Sequence, residues 1–198
     1  EKSPKTDFTE LSRQMVEYAG RLPLALKVLG SSVYRRNKEE WKDIIETLKK
    51  IPNDDIIGKL RIGLNGLNED EMRIFLDITC MFNHKPRYYL ESILKSCGIR
   101  PLIGISRLIE KSLLSIRANW IFQMHSLVSQ MGQDVARKEY RNSRIWLREE
   151  VHDLFAGKLK IKKVESLRIP KGYRFEDDDV NHSKVFKRMQ NLQVLIFD

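Results

Sequence analysis

Cysteine is nearly missing from this chain: Cys80 and Cys97 are the two thiols in 198 residues, and both sit among apolar neighbours. Two cysteines cannot build the multi-disulfide framework of a small secreted domain, and thiols in such surroundings behave as small hydrophobes. An intracellular, reducing compartment is the expectation. The four histidines, His84, His125, His152 and His182, have no second His or Cys at ligand spacing, so the recurrent zinc patterns are excluded. Apolar runs are short, none approaching the roughly 18 residues needed to span a bilayer. The opening Glu1-Lys2-Ser3-Pro4-Lys5 lacks the basic-then-apolar layout of a signal peptide. It also lacks an initiator Met, and a piece of a longer protein is expected.

Catalytic signatures are missing as well. Gly58-Lys59 and Gly157-Lys158 are the only Gly-Lys pairs; each is followed by Leu, and the positions five before each Gly are Asn53 and His152. No GxxxxGK[ST] exists, so the chain has neither the loop whose amides cradle phosphates nor the Ser/Thr that holds magnesium. It is not expected to bind ATP well or to hydrolyse it alone. No Ser/His/Asp constellation, no carboxylate pair outside charge runs and no glycine-rich turn after a strand points to another enzyme class.

What is present describes a folded domain. The hydrophobic fraction is 41% and the charged fraction 32%, ordinary values for a globular protein. The length allows one or two domains and the burial of more than half of the surface. The net charge of +9 is spread thinly: three of the four successive stretches of about fifty residues carry an excess of three positive charges, and residues 51–100 are neutral. The densest basic stretch, Lys158 to Lys163, is followed by the acidic run Glu176 to Asp179. A nucleic-acid binder gathers its Lys and Arg on one face, and this pattern describes a solvated surface instead.

Hydrophobic periodicity divides the chain into short helices. Ser3-Pro4 offers a cap and a first-turn proline for a helix carrying Phe8, Leu11, Met15 and Tyr18 inward and ending at Gly20. Pro23 opens a second, to about Tyr34. Trp41, Ile44, Ile45 and Leu48 mark a third, and Asp54 to Gly63 a fourth. Asn68 with Glu71 three residues on resembles a capping box, followed by Met72, Phe75, Leu76 and Thr79 with flanking Ile78 and Phe82. Pro86 and Pro101 open two more helices. Leu113–Arg117 and Trp120–Met124, joined by Ala118-Asn119, predict a β-hairpin. A helix follows from about Ser126 to Glu139. Three helices, a hairpin and a helix make a winged-helix order. Beyond Tyr140 come a strand-to-helix connector over Arg144 to Phe155, an alternating strand at Val164–Ile169, and a terminal Met189–Phe197 patterned like the first strand of a leucine-rich repeat. The expected architecture is mainly α: a helical bundle over 1–62, a winged-helix subdomain with a short β-hairpin over 63–140, and over 141–198 a connector leading into the first strands of a leucine-rich-repeat solenoid.

Four segments, in order, carry a resemblance. Gly20-Arg21-Leu22-Pro23-Leu24-Ala25 resembles the Gly-Leu-Pro-Leu-Ala motif, and Leu76-Asp77-Ile78-Thr79-Cys80-Met81-Phe82 resembles the Leu-Asp-Ile-Ala-Cys-Phe-Phe motif, of plant intracellular immune receptors of the TIR-type NB-ARC leucine-rich-repeat family. Lys111-Ser112-Leu113-Leu114 and Met124-His125-Ser126-Leu127, the latter in the place of the Met-His-Asp motif, continue it. The resemblance implies a regulatory ADP/ATP switch in plant defence, with the nucleotide held between a P-loop domain outside this chain and the two subdomains present here. Pro23 would pack near the adenine. His125 would reach the ADP β-phosphate and hold the resting state, the winged helix rotating on activation. Implied for the longer protein are slow ATPase activity and a TIR domain with NAD-cleaving activity. The implied partners are the protein's own P-loop domain and repeats, a pathogen effector bound through the repeats, and further copies of the receptor on activation; no membrane partner is implied, and the location is the cytoplasm or the nucleus. This chain by itself binds no metal in this scheme.

Two positions depart from the pattern. Ser126 replaces the motif's Asp, which removes a carboxylate while leaving a hydroxyl able to cap the helix. In the segment that resembles Gly-Leu-Pro-Leu-Ala, Arg21 stands where the family has a second Gly after Gly20. Two other functions compete: a winged-helix DNA-binding module, reading the major groove with the helix at Pro101 to Lys111, and a protein-interaction scaffold without nucleotide dependence. That helix has few polar positions and residues 63–140 carry only +2, little for a site that must neutralise several phosphates.

Overall fold

The computed structural model describes residues 8–20, 22–51, 55–175 and 182–198. Its first part is four helices: α1 (Thr9–Tyr18), α2 (Pro23–Val33), α3 (Lys38–Lys49) and α4 (Ile56–Arg61). The expected Ser3-Pro4 start and Asp54 lie outside the described residues. Gly20 ends α1 with φ +60°, a conformation glycine adopts without a Cβ penalty, and Pro23 occupies the first turn of α2, where its missing N–H costs nothing. Asn37 opens α3 with a reciprocal capping box: its side chain accepts from the Glu40 amide at 3.0 Å while the Glu40 carboxylate accepts from the Asn37 amide at 2.9 Å.

The same device starts the second part. Asn68 and Glu71 form the expected capping box on α5 (Glu69–Asp77), at 2.8 and 3.0 Å. The next five residues, Ile78–Phe82, form a π-helical turn and all five are buried. The burial runs unbroken from Ile74 through Phe82, so this stretch of helix and turn is enclosed on every side rather than on one face. Then follow α6 (Arg87–Ser96), α7 (Pro101–Glu110), the antiparallel strands β1 (Ser115–Arg117) and β2 (Ile121–Gln123), and α8 (Ser126–Lys138). The hairpin is shorter than expected. Its connection is the three residues Ala118–Trp120, with Asn119 and Trp120 at φ +65° and +57°, so Trp120 belongs to the turn and is two-thirds exposed.

The third part is a parallel sheet. Strands β3 (Arg144–Ile145), β4 (Ser166–Ile169) and β5 (Val194–Phe197) pair in sequence order, with α9 (Arg148–Phe155) and α10 (His182–Arg188) in the intervening stretches. The sequence pattern showed β4 and β5 but not α10.

Two apolar cores result. One runs from Leu11 to Ala136 across the first eight helices and takes in Val194 and Ile196 of β5. The other joins Ile145, Val151, Leu154, Phe155, Leu167 and Val185 beneath the sheet. Position 62, where two subdomains were expected to divide, falls on the buried 3₁₀ turn Ile62–Leu64 inside the first core. Among the described residues no helix is long and apolar enough to cross a membrane.

Candidate functional site

Pro23 and His125 are 102 positions apart and line one groove of about 440 Å³, within the usual size range for small-molecule sites. One wall is the start of α2, with Leu22, Pro23, Leu24 and Lys27; the other is the segment Ser112–Ser115 with Gln123 and His125 around the hairpin. Leucines 22, 24, 113 and 114 supply an apolar lining, and the polar groups are few.

Several of those polar groups already have partners. The Ser115 hydroxyl donates to the Gln123 carbonyl at 2.9 Å, and the Arg117 guanidinium donates to the Gln123 side-chain oxygen. The Ser112 and Ser31 hydroxyls lie 2.9 Å apart. Ser112 has φ +60°, unusual for a residue with a Cβ.

His125 combines two roles. It is the N-cap of α8, and its Nδ1 accepts the Leu127 amide at 3.2 Å. An imidazole nitrogen that accepts carries no proton, so the neutral ring bears its hydrogen on Nε2 and presents a donor away from the helix. Backbone amides at a helix N-terminus favour an anion nearby. The expectation that the Ser126 hydroxyl caps this helix is corrected: Ser126 is the first helical residue, and His125 makes the cap.

Lys27 was not foreseen. It lies four residues after Pro23, so the two share a helix face, and it is exposed, lines the groove, and makes no ion pair with a described residue. The spacing from Pro23 was the available signal. Arg21 lies outside the described residues. Cys80, inside the second quoted motif, is buried, and burial pushes its thiol up to about 12, so it is protonated at neutral pH and inert as a nucleophile.

The comparisons agree with this architecture. Residues 68–140 match the family model described as the winged-helix domain of Roq1-like disease resistance proteins. Similar curated proteins include the disease resistance protein RUN1 of Vitis rotundifolia, 33% identical over 97% of this chain and 15% of its own length. The TMV resistance protein N of Nicotiana glutinosa is 36% identical over 83% of this chain and 15% of its own length, and the disease resistance protein RPP5 of Arabidopsis thaliana 33% identical over 98% and 13%. The chain therefore spans a small part of these relatives.

Proposed function

Since residues 68–140 belong to the winged-helix domain family of Roq1-like disease resistance proteins, and homologues of the chain are plant disease resistance proteins, we propose that it is the regulatory part of an ADP/ATP-dependent switch in a plant immune receptor. The observation that carries the proposal is the meeting of Pro23 and His125 in one groove. An apolar wall beside Pro23 suits the face of an adenine ring. The Nε2–H of His125 and the Lys27 ammonium suit the phosphate end, where each adds a charge-assisted or dipolar hydrogen bond.

The chain acts as a lid: it has no GxxxxGK[ST] segment, so the phosphate-cradling loop and any magnesium come from a P-loop domain elsewhere in the receptor. It performs no reaction alone. In the resting state the winged helix closes over ADP, and it rotates when ATP replaces ADP or when a pathogen effector engages the repeats, after which copies of the receptor assemble. Moving such an equilibrium from mostly closed to mostly open takes about 5.5 kcal/mol of differential binding. We place the receptor in the cytoplasm or nucleus. The parallel strands β3–β5, with Leu195 and Phe197 exposed on β5, support reading residues 141–198 as the start of a leucine-rich-repeat solenoid, whose next unit would cover those side chains.

The test is nucleotide content. The full-length receptor and its His125→Ala variant are purified and their bound ADP is measured after acid release. The variant is expected to retain less ADP and exchange it faster; equal content and equal exchange would overturn the proposal.

A further inference from the structure

A second groove, of about 630 Å³, lies next to the first: Ser31 lines it, Ser112 lines the other, and their hydroxyls touch at 2.9 Å. Its charge is unbalanced. Arg35 and Arg36 approach from the turn after α2, and Arg107 and Lys111 from the end of α7. The two carboxylates in the lining are both engaged, Glu40 by Arg36 and Glu110 by Arg107, each at 3.3 Å. Two cations are left over. The Arg35 guanidinium stands 5.2 Å from the Tyr34 ring centroid and makes no ion pair with a described residue.

Lys111 is the anomaly. It is 4% exposed, and its Nζ donates to the Asn65 carbonyl at 2.8 Å, yet it makes no ion pair among the described residues. An ammonium has three donors, and buried charges are ordinarily paired because desolvation is costly. Burial and the neighbouring Arg107 and Arg36 hold this amine below the usual lysine range, with Glu71 opposing them. This fixed, buried amine has a carbonyl partner but no carboxylate within ion-pair distance among the described residues.

We propose that this groove binds a phosphate dianion, held by the two uncompensated cations Lys111 and Arg35 with the Glu110-paired Arg107 beside them, as free inorganic phosphate or as the phosphate monoester of a small metabolite. A monoester carries about −1.5 to −2 at neutral pH, which matches the two uncompensated cations. The guanidinium fork suits phosphate oxygens, and Lys111 is already desolvated and immobilised by its carbonyl contact, so little further ordering opposes binding. The site is separate from the nucleotide groove, and its standing does not depend on the switch.

Heteronuclear NMR titration of the chain with inorganic phosphate, and separately with glucose phosphate, at constant ionic strength set by chloride, tests this directly. Saturable shifts are expected at Arg35, Arg107 and Lys111. The Arg35→Ala/Arg107→Ala double variant, altered only at exposed side chains, is expected to bind about tenfold more weakly, the effect of losing roughly 1.4 kcal/mol; His125→Ala is expected to bind unchanged. Saturation by both probes identifies free phosphate as sufficient, and saturation by the ester alone identifies a metabolite; either supports the site. Unsaturating drift, equal responses across the surface lysines, unchanged affinity in the double variant, or tighter binding of an oligo-aspartate peptide would overturn it.

Discussion

Asp77 and Arg144 form a buried ion pair, the guanidinium Nε donating to Oδ1 at 2.8 Å, that ties the end of α5 to the first strand of the parallel sheet. Asp77 is fully buried and Arg144 is 4% exposed. The Ser166 hydroxyl of β4 also donates to Oδ1, at 3.3 Å, and Arg144 Nη1 donates to the Ser143 hydroxyl at 3.0 Å. The winged helix and the sheet therefore share a polar contact as well as the apolar one made by Val194 and Ile196.

Two further charges stand by the pair, Arg73 Nε at 3.8 Å from Asp77 Oδ2 and Glu165 at 3.6 Å from Arg144 Nη1, so removing one partner leaves the other only a longer, weaker contact. Asp77→Leu or Arg144→Met is expected to destabilise the chain by about 3–5 kcal/mol, while the double variant Asp77→Leu/Arg144→Met should recover part of the loss. Urea unfolding of the three variants checks this. A double variant as unstable as the sum of the singles would show that the pair is not an isolated unit.

Gly132 lets α8 approach the π-helical turn. A Cβ at this position would stand 2.6 Å from Thr79 Oγ1 and 3.0 Å from the Phe75 ring, and Thr79 is a stiff, buried, β-branched side chain. Gly132→Ala is expected to cost about 1–3 kcal/mol through overpacking. Thr79→Ala in the same chain should return part of it, which thermal melts of the single and double variants would reveal.

Ser126 occupies the first turn of α8, where a carboxylate interacts favourably with the amide end of the helix. Ser126→Asp is expected to stabilise the chain by about 0.3–1 kcal/mol, read by urea unfolding at low salt. Under the proposed nucleotide switch, the same change in the full-length protein is expected to strengthen ADP retention; equal occupancy and equal exchange rates would sink that part.

Cys80 makes stability pH-dependent in the alkaline range. Its thiol is raised by burial from 9.0 to about 12 in the folded chain. A raised folded value means stability is fully present below the unfolded pKa of 9.0 and declines as pH climbs toward about 12. At pH near 10.5 the loss due to this group is about 2 kcal/mol. The comparison is the fall in unfolding free energy between pH 8 and 10.5 in the native chain and in Cys80→Ala, whose slope should be shallower; identical slopes would refute the assignment.

Local chemistry in the sequence determined where most elements begin and end. Asn68 with Glu71, Pro23 and Pro101 at first turns, and Gly20 after α1 each act through neighbours a few residues away, so their effects are readable without a fold. The order of helices, hairpin and helix, and the strands β4 and β5, follow from the same short-range periodicities. Pro23 and His125 were picked out by motif resemblance, since neither carries a local sign of its role. Tertiary structure alone decided what lies far apart in sequence: that the Pro23 and Lys27 face of α2 meets His125 in one groove, that Lys111 is buried beside two guanidiniums, and that Asp77 meets Arg144. It also decided that Ile78–Phe82 forms a π turn, which no local feature of that run announces. Such pairings depend on how helices cross and on desolvation within a shared core. No window of the sequence contains both partners, and their energies exist only once the chain has closed around them.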